Sequence, residues 1–431
     1  MKSIVSLALS FLLSYGFCAD PSCLPEVPQR PLTIAELVQI ALARHPSTQR
    51  TWWNAQRAAA AVGSEESTYY PKIDAIGEAR YRDPDAERTY TARLSLDLLL
   101  FDFGRRDAAV AAAKELLHQA AWQTDWNVQK VLLDVCEASY GVLHAQEVCE
   151  ATHLSLEEAQ KMCEAAEELN RAGLKPITDV FTSKASLARA RMEESERKAS
   201  LLTSLSQLAV NIGVEANTPI SLQPIDTKAI FTRTTVLDEL LAQAYAERAD
   251  LQAKRAEYQA TLFQAAKEDR AYMPEVSLFG EKEEALRRKK QGTPPSKNTS
   301  RSGASSFGVK VTIPLFVGFD SIYKTRQALS SANMTQAELL ELQNEISQEV
   351  AAACYSLEAA QEMLPLAKEA LDNRVKAYES AFERYKIGEA TMAELHDAQE
   401  DVSAARIQYS DVKQEWLSAI AKLAYATGTR S

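Results

Sequence analysis

The residues of this chain that could do chemistry are few and scattered. Its five histidines lie without the spacing of metal ligands, and we find no nucleophile motif and no glycine-rich phosphate loop. We therefore expect no catalytic site, no metal and no cofactor. The histidines are His45, His118, His144, His153 and His396.

One pair of carboxylates has a spacing that could concentrate negative charge. Glu394 and Asp397 are three residues apart, so they share one face of a predicted helix. A plainer interpretation is that both are solvated side chains on the surface of that helix. The pair by itself leaves both interpretations open.

The six cysteines do not indicate a disulfide framework. Cys136, Cys149 and Cys163 lie on one predicted helix, too far apart to bridge each other. Cys149 and Cys163 also fall on the apolar seam of that helix, where cysteine acts as a small apolar side chain. The formal net charge of −11 does not suggest binding to nucleic acid.

Residues 1–19 have the pattern of a secretory signal peptide. Lys2 precedes an apolar stretch at 4–13, and small residues suited to cleavage follow, up to Ala19. An alternative is that Cys18 is a lipidated first residue, although Phe17 before it is larger than such sites prefer. No later stretch reaches the roughly 20 apolar residues of a membrane-spanning helix.

An internal repeat organises the rest of the chain. Residues 36–71 recur without gaps at 239–274, an offset of 203, and farther on the offset is 215, which pairs Gly173 with Gly388. Copy two therefore has 12 more residues, and we expect them in the polar stretch 281–306, as an exposed loop.

This repeat predicts how the chain is divided. We expect the signal peptide at 1–19, repeat one at 20–215, a linker or equatorial segment at 216–235 and repeat two at 236–431. Each repeat should hold a helix, a β-hairpin and two long helices.

Alternating apolar and polar residues predict the hairpins, at about 72–101 and about 275–316. In 91–101, apolar residues at even positions alternate with Arg93, Ser95 and Asp97. Segments of about ten residues with one apolar face are typical of transmembrane β-strands. The alternative is a soluble hairpin packed on the helices.

The long helices carry a seven-residue apolar period, which predicts coiled coils with one large and one small layer. In copy one the larger series is Val135, Val142, Cys149, Leu156 and Cys163. A helix over 105–170 would be about 100 Å long. The helices should meet at turns near 171–178 and 386–390, with Gly173 and Gly388 at the tips.

Taken together, these features resemble the TolC-like outer-membrane efflux family (outer membrane factors). The order, spacing and duplication of short motifs carry the resemblance over nearly all of the mature chain. The main motifs are Pro31-Leu32-Thr33, His45-Pro46, Leu100-Phe101-Asp102-Phe103-Gly104, Ile313-Pro314-Leu315-Phe316 and Arg384-Tyr385-Lys386-Ile387-Gly388-Glu389-Ala390-Thr391.

The resemblance implies a mainly α fold with a small β part: long antiparallel coiled-coil helices plus two duplicated β-hairpins. It also implies a homotrimer, a trimeric α-barrel in the periplasm joined to a 12-stranded transmembrane β-barrel. The strand count agrees with pooling between chains, because four strands cannot close a transmembrane barrel and open edges are not tolerated in lipid.

The implied function is that of an outer-membrane exit duct for an efflux or type I secretion system. Such a duct is a passive conduit, not an enzyme, embedded in outer-membrane lipid with a long periplasmic portion. Its partners would be an inner-membrane pump and a periplasmic adaptor. The alternative function is a periplasmic coiled-coil scaffold or adaptor that never spans a membrane.

The resemblance also assigns roles near the helix turns. Glu394 and Asp397 match positions that form two acidic rings at the constriction of the family's gate. Thr178 and Asp179 match residues that tie the closed helices together, and Tyr385 matches one of their partners.

One element of that network departs from the family. At the position where the family has the basic partner of this network, this chain has Ala390. We therefore expect this link to be missing or replaced, and Lys386 is the candidate replacement.

Overall fold

The computed structural model describes residues 28, 30–83, 87–224, 236–291 and 296–429. The predicted signal peptide at 1–19, with Cys18, lies outside the described residues, as does 225–235 of the predicted linker. The chain divides into two compact units. One comprises Met1–Thr51, Thr124–Ala249 and Gln343–Ser431, and the other comprises Trp52–Gln123 and Asp250–Leu342.

Helices dominate both repeats. In repeat one they are α1 (Ile34–Arg44), α2 (Pro46–Glu66), α3 (Arg105–Arg171) and α4 (Ile177–Asn211). In repeat two they are α5 (Leu237–Glu247), α6 (Ala249–Asp269), α7 (Asp320–Lys386) and α8 (Met392–Ala426). Single 3₁₀ turns, Ser67–Tyr69 and Arg270–Tyr272, follow α2 and α6 just before a proline. No helix among the described residues is long and apolar enough to cross a membrane.

The strands form one antiparallel sheet in the unit that comprises Trp52–Gln123 and Asp250–Leu342. They are β1 (Lys72–Arg82), β2 (Glu87–Phe101), β3 (Glu275–Gln291) and β4 (Ser296–Thr312), in the order β1-β2-β3-β4. Mainly α with a small β part was the predicted fold class, and it is confirmed.

The register places the predicted apolar alternation of all four strands on the same face. Leu96 lies opposite Ile73 on one side and Gly280 on the other, and Gly280 lies opposite Phe307. Directly opposite residues project to one face of a sheet, and so do residues two positions apart along each strand. The sheet therefore has one largely apolar face and one polar face.

The expectation of an exposed loop at 281–306 was wrong. β3 continues to Gln291 and β4 begins at Ser296, and the two pair along their whole length. The hydrogen bonds between paired strands join main-chain groups, so polar side chains do not by themselves end a strand. Opposite charges on neighbouring strands can also pair with each other and stabilise the sheet. Arg301 and Glu284, for example, form such an ion pair at 2.7 Å. The extra residues of copy two mainly lengthen its strands.

The helical core of the other unit follows the seven-residue pattern. Val135 and Val142 are fully buried, Leu156 and Cys163 are buried, and Cys149 is half-buried. The four cysteines within the described residues, the three on α3 and Cys354 on α7, are free thiols. The long helices of this unit are therefore held by their apolar seams.

Candidate functional site at the helix turns

Two turns in the first unit join the long helices and contain the residues for which roles were predicted. Gly173 lies between α3 and α4 with φ of +74°, and Gly388 lies between α7 and α8 with φ of +87°. Glycine adopts this left-handed conformation without strain. Each glycine amide donates to the carbonyl three residues earlier, Asn170 at 2.9 Å and Tyr385 at 3.0 Å. Both predicted tips are thus glycine-ended helix C-termini.

The helices that leave the two turns begin differently. At the start of α8, the Glu394 amide donates to Thr391 Oγ1 at 3.2 Å, and the Thr391 amide donates to Glu394 Oε2 at 3.4 Å. This reciprocal capping box satisfies two amides that the first helical turn leaves free. At the start of α4 the N-cap is Pro176, which makes no side-chain cap.

The two acidic residues lie on an exposed face of α8. Glu394 and Asp397 are both exposed, whereas Leu395 between them is fully buried. Glu394 turns its carboxylate back to the helix start, and the Asp397 carboxylate has no hydrogen-bond or ion-pair partner among the described residues. Within one chain, both carboxylates are therefore open to solvent.

Tyr385 occupies the centre of the tip. It is fully buried in a cluster with Met162, Val180 and Leu395. Its hydroxyl donates to Asp179 Oδ2 at 3.2 Å. Burial, together with the adjacent Asp179 carboxylate, raises the pKa of Tyr385 to about 12. The phenol therefore stays protonated at neutral pH and acts as a hydrogen-bond donor.

The structure thus joins Asp179 to Tyr385 by a hydrogen bond, whereas Thr178 has no hydrogen bond to Tyr385 among the described residues. Thr178 is exposed, and its carbonyl accepts a hydrogen bond from Thr182 Oγ1 at 3.0 Å. Within the described part of a single chain, one of the two predicted copy-one residues, Asp179, hydrogen-bonds to the buried tyrosine.

A lysine that sequence reasoning did not identify joins the two turns. The Nζ of Lys175 donates to the Ala390 carbonyl at 2.9 Å and lies 4.8 Å from the centre of the Tyr385 ring. Both contacts suit a cation, the ring through its negative face. The signal was present in the repeat, because the offset of 215 pairs Lys175 with Ala390, the position where the resemblance led us to expect a basic residue.

Lys386, the candidate replacement, is engaged elsewhere. Its Nζ lies 2.8 Å from Glu383 on its own helix and 4.4 Å from the centre of the Phe382 ring. The expectation for Lys386 is therefore corrected: within this chain the cation beside Tyr385 comes from Lys175.

The remaining candidate ligands do not form a cluster. His396 Nε2 lies 2.7 Å from Ser186 Oγ, and His144 Nε2 lies 2.6 Å from Asp411 Oδ1. Among the described residues, no group of three or more histidine, cysteine, aspartate or glutamate side chains is placed to hold a metal ion. The tip therefore has an aromatic core, a lysine that joins the two turns and an acidic outer face.

Comparison with known proteins relates this architecture to a family. The model of the outer membrane efflux protein family matches residues 37–214 and 240–429, one match in each repeat. Protein CyaE of Bordetella pertussis is 28% identical over 382 residues, covering 87% of this chain and 79% of that protein. Outer membrane protein TolC of Vibrio cholerae is 24% identical over 386 residues, covering 88% and 86%.

The same fold is found among solved structures. The CmeC outer membrane channel of Campylobacter jejuni superposes with a TM-score of 0.79 at 17% identity, covering 92% of this chain and 85% of that chain. The chain therefore belongs to the outer membrane efflux protein family and is an exit duct of the outer membrane.

Proposed function

We propose that three copies of this chain form a passive conduit, without enzymatic activity, that works with an inner-membrane pump and a periplasmic adaptor. The observation that carries this proposal is the four-stranded sheet, which has one apolar face, one charged face and two open edges. Its substrate would leave the cell through the pore that the pooled strands enclose.

The apolar face of the sheet fits contact with lipid. Its exposed side chains include Ile73, Val309 and Val311, each about 60% exposed, and Phe307, which is 89% exposed. Three charged residues interrupt it, Lys282 and Glu284 of β3 and Arg301 of β4, and Glu284 is paired with Arg301. A periplasmic scaffold would leave this apolar surface in water, which monomeric soluble proteins rarely do.

The opposite face fits an aqueous lumen. Arg93 lies 2.8 Å from both Glu281 and Glu283, so ion pairs join β2 to β3 across this face. Lys72 pairs with Asp74 at 3.3 Å along β1. Transmembrane β-barrels alternate in this way, apolar towards lipid and polar towards the interior.

The open edges require further strands. β1 and β4 each pair on one side only within the described residues. Lipid does not tolerate unpaired main-chain groups, and the smallest transmembrane barrels have about eight strands. Two chains would supply that minimum with a side-chain-filled interior, whereas three would supply 12 strands and leave room for a pore. The homotrimer that the family resemblance implies supports three chains.

We further propose that the helix turns form the gate. Threefold symmetry would bring three copies each of Glu394 and Asp397 towards one axis, as two acidic rings. The Asp179–Tyr385 hydrogen bond, with Thr178 beside it, would hold the closed arrangement of helices, and Lys175 would supply the basic partner.

The mass of the particle in detergent tests this function. Light scattering with correction for bound detergent should give three chains, and the purified particle should conduct ions in planar bilayers. A monodisperse monomer that stays soluble without detergent would rule out the conduit. Co-purification of a pump and an adaptor from cross-linked cells tests the proposed partners separately.

A further inference from the structure

The apolar face of the sheet ends in a row that contains two arginines. The register aligns one residue from each strand in this row. From β1 to β4 these residues are Tyr81, Arg88, Arg288 and Thr299. Because Arg88 is an even number of residues from Leu94 and Leu96, the row projects from the same face as the apolar side chains.

The two arginines are neighbours with no negative charge between them. Directly opposite side chains on adjacent strands have Cβ atoms about 5 Å apart, and like charges placed so are destabilising. Both Arg88 and Arg288 are exposed, and neither has a carboxylate partner within the part of the chain that the structure describes.

Three nearby arginines differ in this respect. Arg287, one residue from Arg288 and on the opposite face, lies 2.8 Å from Glu87. Arg301, two residues from Thr299 and on the same face, lies 2.7 Å from Glu284. Arg80 lies 2.6 Å from Glu78. A carboxylate therefore accompanies each of these three arginines, but neither member of the pair at the end of the apolar face.

The position of the row matches the headgroup region of a bilayer. Arg88 is ten residues beyond Leu98, about 34 Å along a strand, or about 26 Å in height at the usual tilt of transmembrane strands. The apolar band of such barrels is about 25 Å tall and is bordered by aromatic residues. Tyr90 and Tyr81, both exposed on this face, supply that border at the level of the arginines.

We propose that Arg88 and Arg288 together bind the phosphate of an anionic lipid headgroup in the outer leaflet. A phosphate between the two guanidinium groups would offset their repulsion and accept paired hydrogen bonds from both. The Thr299 hydroxyl is in the same row and can donate a further hydrogen bond. Continuity with the apolar face favours a lipid over a free anion, because the acyl chains would lie along that face. This inference rests on the proposed membrane-spanning barrel.

Native mass spectrometry of the detergent-purified oligomer tests the proposal with two probes. These are monophosphorylated lipid A and its fully dephosphorylated form, which differ in the one phosphate that the arginine pair would bind. The parent should retain monophosphorylated lipid A about tenfold better than the dephosphorylated form, as expected for loss of a charge-assisted contact. Equal retention of the two lipids by the parent would overturn the proposal without requiring any variant.

A matched pair of variants locates the site. Arg88→Gln with Arg288→Gln should lower lipid A retention about tenfold. Arg80→Gln with Arg287→Gln removes the same charge one row away on the opposite face and should leave retention at the parental value. Equal loss in both variants, or in neither, would contradict the assignment. Excess inorganic phosphate should not displace the lipid, and displacement would identify a free-anion site instead.

The same preparations separate this inference from the proposed function. Chain number and conductance report on the conduit, whereas lipid retention reports on the arginine pair. A conducting oligomer that shows no phosphate preference would overturn only the lipid site.

Discussion

The turn between α3 and α4 and the turn between α7 and α8 share their backbone but not their side chains. Each has a glycine with positive φ whose amide returns to the carbonyl three residues earlier. Copy one then places Lys175 and Asp179 beside the buried core, whereas copy two supplies Tyr385 to that core and caps its next helix with Thr391 and Glu394.

This difference shows what duplication leaves free to change. A glycine-ended helix needs only the backbone conformation, so both copies keep it. The side chains on either side can specialise, and at equivalent positions copy one has Lys175 where copy two has Ala390. The contacts of Lys175 with Ala390 and Tyr385 therefore join the two copies within a single chain.

The largest effect should come from emptying the buried centre of copy two. Tyr385→Ala should lower the free energy of unfolding by about 3–5 kcal/mol, because a fully buried aromatic ring is removed. Its equivalent in copy one is Asn170, whose Nδ2 donates to the Lys175 carbonyl at 2.8 Å. Asn170→Ala should cost only about 1 kcal/mol. Denaturant unfolding followed by circular dichroism measures both, and equal losses would contradict the asymmetry of the two turns.

Moving the lysine from one copy to the other sharpens the comparison. Lys175→Met removes the donor to Ala390 and the cation over Tyr385, so it should raise the conductance of the resting channel severalfold. Adding Ala390→Lys, which places a lysine at the equivalent position of copy two, should return it towards the parent value.

Lys386→Met is the control for that experiment. It removes a cation of the same type two residues before Gly388, but one that is paired with Glu383. Resting conductance should stay at the parental level in planar bilayers. An increase equal to that of Lys175→Met would mean that any loss of positive charge at the turn opens the channel.

Alkaline pH should reduce the contribution of Tyr385 to the stability of the fold. The pKa of Tyr385 is raised to about 12, chiefly by burial and then by Asp179, so its stabilising contribution is complete below pH 10 and is lost as pH rises towards 12. Tyr385→Phe should therefore be less stable than the parent at pH 7, and the difference should shrink between pH 10 and 12. Melting temperatures across this range test it; a constant difference would show that the phenol is not held neutral by the fold.

The smallest effect on stability should follow from neutralising the acidic face. Glu394→Gln with Asp397→Asn keeps the capping box, because glutamine also serves at this position. The free energy of unfolding should therefore change by less than about 0.5 kcal/mol. If the residues form rings, cation preference and block by multivalent cations should both weaken in bilayers. Parental values on both counts would leave them as solvated surface carboxylates.

Much of this architecture could be predicted from the residues. The seven-residue period placed Val135 and Val142 in a buried seam, and the two-residue period placed Leu96 and Phe307 on one face of a sheet. These periods report directly on burial, which is why they predict the fold.

Two features could not be predicted, for different physical reasons. The strands over 281–306 carry charges on both faces, so the alternation that marks a half-buried strand is absent there, although the main-chain ladder continues. The contact of Lys175 with Ala390 depends on the distance between two turns 215 residues apart in sequence. Only the repeat offset indicated that the two positions are related.

The central claim, that separate chains pool their sheets, is tested most directly by disulfide formation between β1 and β4. Within one chain these strands lie three inter-strand spacings apart, about 14 Å, which is too far for a disulfide. In a chain freed of its native cysteines, Ala75→Cys would be paired with a cysteine at successive positions of β4, to find the register between chains. The account predicts oxidation at one register to a covalent species of three chains in denaturing gels. Monomers at every register, or no species beyond two chains, would contradict it.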